Sequence, residues 1–281
     1  STLKPFVGMA ALEAKTISWE KEILDSGKYL VEGDERPYKG WKEGGHGMVD
    51  MNKAIIESSD VYFYSLAYDL TIKNLSPFLE KFGFGKQSGL SKNEGTGILP
   101  SRKWKLGYIG EPWFKGDTIN MGIGQGYITA TPLQIALAYS ALANKGELVQ
   151  PRIIEKIGEE DTKIVIKKNI SLNDDKNWKR IEKSLLGVVE AKNGTANNIY
   201  DKNIRIAGKT GTAQVKSIIE TEYELLRVDK SLRDHALFVG YGPVEEPKLV
   251  VVAIIENGES GSAVAAPLVR SAINLYSNNE K

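Results

Sequence analysis

The chain has 281 residues and a mass of 31.0 kDa, with 37 Lys and Arg against 36 Asp and Glu, so its formal net charge is only +1. That balance excludes the strongly basic surface by which proteins hold nucleic acid or anionic membranes. Cysteine is absent, which removes disulfide scaffolds, thiolate metal sites and cysteine nucleophiles, and leaves oxygen and nitrogen groups to carry any chemistry. The longest aliphatic run, 249–255, is far shorter than the roughly 20 residues a membrane-spanning helix requires.

In chain order, residues 1–14 place Leu3, Phe6, Val7, Ala10, Ala11 and Ala14 at helical spacing, and Ser1 is read as the cap of a buried helix. Residues 25–50 are rich in glycine, charge and aromatics and read as loop. Helical patterning resumes over 48–69 and again over 76–82. The glycine-rich stretch 116–126 reads as a turn running into a helix that starts at Thr131-Pro132 and ends at Gly146. Residues 155–178 suit a short hairpin and loop, and 179–191 an amphipathic helix. Strand-like runs cluster late, at 204–215, 236–242 and 249–256, before a closing helix at 267–276. The whole predicts one mixed α/β domain, with an antiparallel sheet flanked by helices.

Three short motifs suggest chemistry, and each alone is common. Ser-x-x-Lys occurs at Ser1 to Lys4 and at Ser18 to Lys21; Ser-x-Asn/Asp occurs at Ser58, Ser91, Ser171 and Ser277; Lys209-Thr210-Gly211 occurs once. Context sorts them. Ser1 and Lys4 are one helical turn apart in an apolar segment, so the amine can reach the hydroxyl, whereas Ser18 and Lys21 lie among charges. Ser58 falls in a helix-like run, and Lys209 in a strand-like one. A serine hydroxyl is a weak nucleophile until a base takes its proton. Lys4 can be that base if burial and a neighbouring cation, Lys209, keep it neutral. Ser58 can relay the proton to a leaving amine. Gly211 would leave room for a substrate backbone along the strand edge, and Thr210, Thr212 and Lys209 suit a carboxylate.

Other patterns weigh less. An isolated Lys-Thr-Gly is most often an ordinary strand-edge triplet. Gly122-x-Gly124-x-Gly126 lacks the spacing and setting of a dinucleotide loop. The two histidines, His46 and His235, offer no oriented Ser-His-Asp arrangement, although Asp234 precedes His235.

The three motifs in order, with STLKPF, YKGWKEGGHG, SSDVYFY, LPSRKWK, PWFKGDTINMGIGQGYITATPLQ, AGKTGTAQ and RDHALFVGYGP, resemble the class B penicillin-binding proteins, and among them the elongation-type PBP2 group. The resemblance spans nearly the whole chain. It implies the penicillin-binding-protein and β-lactamase-like fold over 1–281, with some sheet strands, a pedestal and a membrane anchor lying upstream of this sequence. It implies Ser1 as acylated nucleophile, Lys4 as base, Ser58 as relay, Lys209 as a fourth catalytic group that with Thr210 would hold the terminal carboxylate, and Asp60, Thr210, Gly211 and Thr212 as substrate-binding residues. The backbone N–H groups of Ser1 and Thr212 would form the oxyanion hole. The implied reaction is D,D-transpeptidation of peptidoglycan stem peptides ending in D-Ala-D-Ala, without a cofactor, in cell elongation. Implied partners are β-lactams and the polymerase and scaffold of an elongation complex. The implied location is the bacterial inner membrane, with this part in the periplasm. Some members hold zinc with Asp, Asp, His and Cys; here Asp25 and His46 fall at two of those places but Gly40 and Ser59 at the others, so no metal is expected. Two other readings use the same residues: a β-lactamase or β-lactam sensor of this fold, and an N-terminal-nucleophile amidohydrolase acting through Ser1. A third is a catalytically silent scaffold.

Overall fold

The computed structural model describes residues 1–33, 36–214 and 230–279. Its helices are α1 (Lys4–Glu13), α2 (Met51–Ile56), α3 (Asp60–Lys81), α4 (Arg102–Tyr108), α5 (Lys115–Gly122), α6 (Pro132–Ala143), α7 (Lys176–Glu190) and α8 (Ala266–Asn279). Four short strands precede α2: β1 (Ile23–Asp25), β2 (Lys28–Tyr29), β3 (Tyr38–Lys39) and β4 (Gly47–Val49). Four follow α6: β5 (Glu147–Val149), β6 (Lys156–Ile157), β7 (Glu160–Asp161) and β8 (Ile166–Asn169). The late strands are β9 (Ala207–Ala213), β10 (His235–Gly242) and β11 (Leu249–Ile255).

The helix α1 is apolar on every side, so it is buried on every side rather than half-solvated. Phe6, Val7 and Ala11 have no exposure, and the Phe6 ring meets Phe82, Phe84 and Tyr139 edge-on. Burial of one such ring contributes about 2 to 3 kcal/mol. The helix packs along α3, and α3 in turn packs on α5. The expected cap is corrected here: α1 starts at Lys4, its N-cap position is Leu3, and no side chain caps it. Pro5 supplies the start instead, since its ring fixes a helical φ and its missing N–H has no partner to lose. Ser1 therefore lies ahead of the helix with its hydroxyl uncommitted to capping. The Tyr139 hydroxyl donates to the Thr2 carbonyl at 2.8 Å and pins this approach.

The late strands form an antiparallel sheet in the order β11-β10-β9, with β10 central and almost wholly buried. Lys209 faces Val239 in register, and Gly211 faces Leu237. β9 is thus an edge strand among the described residues. α6 and α8 pack on β10 and β11, and α7 packs on β9. The outer end of the expected strand at Val215 lies outside the described residues.

Three other expectations change. The helical run over 48–69 is broken: α2 ends at Ile56, and α3 starts at Asp60 under a cap in which Ser59 Oγ accepts from the Tyr62 N–H. The second helix at 76–82 is the far part of α3, beyond a non-helical residue at Thr71. Within the glycine-rich stretch, 115–122 is helical, because Asp117 reaches back to the N–H of Phe114 and closes its first turn. The start at Thr131 is as read from the sequence, a capping box with Gln134. No helix among the described residues is long and apolar enough to cross a membrane.

Candidate active site

A cleft of about 710 Å³ opens between the start of α1, the α2–α3 joint and the β9 edge. Ser1, Ser58, Asp60, Thr210, Gly211 and Thr212 all line it. Lys4 and Lys209 lie beneath its floor with no exposure. The chain thus brings every residue of the three motifs to one place, from three distant parts of the sequence.

Ser58 is not in a helix but in the joint between two, with φ at 57°. A non-glycine residue rarely takes this left-handed conformation, and it costs about 1 to 2 kcal/mol. The joint turns the Ser58 carbonyl and hydroxyl toward Lys4. Lys4 Nζ donates to the Ser58 carbonyl at 2.7 Å, to Ser58 Oγ at 3.0 Å and to Asp60 Oδ1 at 2.7 Å. Three acceptors match the three N–H groups of an ammonium. Once the amine loses a proton it has a lone pair to spare, and Ser58 Oγ stands next to it as donor or acceptor. Burial lowers the Lys4 pKa from the ordinary lysine value, opposed by the Asp60 carboxylate.

Lys209 is placed differently from what the sequence suggests. Its amine does not line the cleft; it donates to the Thr210 carbonyl at 3.3 Å and to Thr210 Oγ1 at 3.4 Å, both long. Burial, and after it the Lys4 charge, drives its pKa well below the ordinary value. It meets the cleft through the hydroxyl of Thr210, which pairs with Thr195 Oγ1 at 2.8 Å. Thr195 also lines the cleft and carries no motif that would have revealed it. Its loop is fixed to the α2–α3 joint by the bond from Asn193 Nδ2 to Glu57 Oε1 and by the Thr195 N–H on the Ile56 carbonyl.

Gly211 also has a different reason to be glycine. A Cβ there would lie 3.0 Å from Thr2 Cγ2 and 3.2 Å from Leu237 Cβ. The space is taken by the approach to α1, so the missing side chain lets the strand lie close beside Ser1. Thr212 stays on the cleft wall.

Neither histidine supports a triad. His235 Nδ1 accepts the Asn257 N–H at 3.0 Å. His46 Nδ1 lies 2.6 Å from Asp25 Oδ2, the oxygen to which Ser59 Oγ also donates at 2.6 Å. A serine that donates to the carboxylate instead of the imidazole is not activated by it. The same cluster covers three of the four places where some family members hold zinc. A hydroxyl already hydrogen-bonded to the carboxylate, and a glycine at the fourth place, do not complete a zinc donor set. Among the described residues, no group of three or more His, Asp or Glu side chains is arranged to hold a metal ion.

A serine placed ahead of a buried helix, a buried lysine at the start of that helix and a glycine-bearing edge strand alongside define a penicillin-recognising serine fold. The chain belongs to the penicillin binding protein transpeptidase domain family, whose family model matches residues 1–274. It is 41% identical over 99% of its length to the peptidoglycan D,D-transpeptidase MrdA of Haemophilus influenzae, and 36% identical over 94% to MrdA of Escherichia coli. It spans only 44% and 43% of those two proteins. The structure of Pseudomonas aeruginosa PBP2 in complex with WCK 5153 matches with a TM-score of 0.86 and 38% identity, over 98% of this chain and 60% of that one. The complex of PBP2 with MreC from Helicobacter pylori matches with a TM-score of 0.86 and 31% identity, over 100% of this chain and 50% of that one.

Proposed function

We propose that this chain is the catalytic part of a peptidoglycan D,D-transpeptidase of cell elongation, acylated on Ser1. The observation that carries the proposal is the buried Lys4 amine, in contact with both Ser58 Oγ and Asp60, at the start of the helix that Ser1 precedes. In the forward step, neutral Lys4 takes the Ser1 hydroxyl proton as Oγ attacks the carbonyl of the penultimate D-Ala. The developing oxyanion falls to the backbone N–H groups of Ser1 and Thr212. The C–N bond to the terminal D-Ala then breaks, and the proton travels from Lys4 through Ser58 Oγ to the departing amine. In the second step an amine of a neighbouring stem peptide attacks the ester, the cross-link forms, and Ser1 recovers its proton. No cofactor enters either step.

Thr210 and Thr195 present a pair of hydroxyls to the substrate carboxylate, with Lys209 behind them as buried positive charge. A β-lactam would follow the first half of the path: its ring C–N bond opens, but the amine stays tethered and the ester persists. The relatives named MrdA, the solved complex with MreC, and a match to a structure described as coordinating polymerization and crosslinking in a peptidoglycan synthase complex support a scaffold and a polymerase as partners. In this reading the reaction takes place at the periplasmic face of a bacterial inner membrane.

Fluorescent penicillin added to the full-length protein tests the proposal. The expected result is a stable adduct mapped by peptide mass to Ser1 and lost in Ser1→Ala. An adduct that turns over within seconds would favour the β-lactamase reading instead. Labelling that survives in Lys4→Ala would point to the amidohydrolase reading, and no labelling at all would point to a silent scaffold.

A further inference from the structure

Trp41 sits at the rim of the cleft with 61% of its surface exposed, yet both of its N–H groups point inward. Its backbone N–H donates to Asp60 Oδ2 at 2.8 Å, and its indole Nε1–H donates to the Ser58 carbonyl at 3.0 Å. Lys4 grips the same two groups, through Asp60 Oδ1 and that same carbonyl. One loop residue and the buried lysine thus hold two acceptors from opposite sides.

The loop behind Trp41 is tied down. The Gly40 N–H donates to the Gly27 carbonyl at 2.8 Å, and the Trp41 ring lies 5.5 Å from that of His46. His46 is fixed by Asp25, which also accepts a hydrogen bond from the hydroxyl of Ser59, the residue between Ser58 and Asp60. Gly45, with φ at 74°, makes the turn possible, since a Cβ there would run into the Asp25 carbonyl. Asp25, His46 and Ser59 are all buried, so the loop and the α2–α3 joint form one frame.

We infer that Trp41 is a positioning residue for acylation: its two N–H groups hold the Ser58 carbonyl and the Asp60 carboxylate so that Lys4 Nζ and Ser58 Oγ stay aligned for proton transfer. The strained φ of Ser58 is the reason a second donor is required. A left-handed serine relaxes by rotating its peptide, and rotation would carry the carbonyl off Lys4 and the hydroxyl out of line. Lys4 alone is a poor anchor, because in giving up or taking a proton it changes its number of donors. The indole N–H keeps its hold on the carbonyl throughout the cycle.

This inference rests on the acyl-transfer reading, and the experiment separates the two. In the full-length protein, fluorescent penicillin kinetics are resolved into the dissociation constant of the initial complex and the first-order acylation constant. Trp41 is replaced by Phe and, separately, by β-(3-benzothienyl)alanine, which keeps the shape of the indole but has sulfur in place of N–H. Both replacements are expected to slow acylation about tenfold, the worth of one hydrogen bond to a strained group. Initial binding should stay within about twofold, as for an interaction that acts on the chemical step alone. An unchanged acylation constant in the benzothienyl protein, or a loss confined to initial binding as for a simple ligand wall, would overturn the inference. Wild-type protein that forms no Ser1 adduct would overturn the acyl-transfer reading, and this inference with it.

Discussion

Lys4 and Lys209 are both fully buried, but among the described residues only Lys4 has a carboxylate, Asp60 Oδ1 at 2.7 Å. Two lysines share one counter-charge in a site closed to water, so both cannot carry their protons cheaply. Lys209, which has only the neutral Thr210 oxygens as acceptors among the described residues, is driven down further. Under the proposed reading, a substrate carboxylate arriving at Thr210 would supply the missing negative charge and favour protonated Lys209.

Lys209→Met tests the cost of this arrangement. An unfolded lysine titrates near its ordinary value of about 10.4, whereas the buried one titrates below it, so between the two values the unfolded chain holds the extra proton. The stability contributed by this group is complete above the ordinary value and declines as pH falls toward the folded value. Urea melts at several pH values should therefore show the variant matching the wild type at high pH and exceeding it by about 1 kcal/mol near neutrality. Acylation should fall roughly a hundredfold.

Lys4→Met leaves the Asp60 carboxylate in a nearly closed site with only the Trp41 N–H on its other oxygen. The expected loss is about 3 kcal/mol in denaturant unfolding, the usual result of orphaning a buried charge. Adding Asp60→Asn should recover more than 1 kcal/mol of it, a coupling that independent sites do not show. Neither protein should react with penicillin.

At Ser58 the backbone and the side chain make separate contributions. Ser58→Gly removes the hydroxyl but suits the φ of 57°, whereas Ser58→Ala removes it and keeps the strain. The glycine protein should be the more stable of the two by about 1 kcal/mol in thermal or urea melts. Both should acylate slowly, and any gap between them measures what the left-handed backbone adds.

Gly211→Ala should slow acylation by pressing a methyl group on Thr2 Cγ2 and moving the approach to α1. Thr2→Ser removes that methyl group at a distance of 3.0 Å. The pair Thr2→Ser with Gly211→Ala is therefore expected to regain most of the lost rate. Failure of the pair to recover would place the conflict on the Leu237 side.

Much of this was legible because local rules and tertiary structure agree. Thr131-Pro132 with Gln134 is a complete helix start, and α6 begins there. The strands β10 and β11 are largely apolar runs cut off by turn residues, and they pair as such. The departures come where periodicity continues through a break. Apolar spacing runs on from α2 into α3, so nothing local marks the left-handed Ser58. The glycines of 116–126 hid α5, whose start is closed by the side chain of Asp117. Thr195 belongs to no short motif, and the stretch that holds Trp41 assigns it no role; each matters through a partner far along the chain, which spacing cannot display. The reason given for Gly211 changed for the same cause, since its neighbour Thr2 is 209 positions away in sequence.

The helix carrying Lys4, and preceded by Ser1, is surrounded by core on every side, with aromatic rings against Phe6 and a tyrosine holding Thr2. It has no slack with which to follow a reacting group. If Ser1 is acylated as proposed, the space that a bulky adduct demands would be taken from the facing edge of β9. Antibiotics of different shapes would accordingly leave α1 superimposable and write their differences into that edge, where substitutions that discriminate between drugs should arise without touching Ser1.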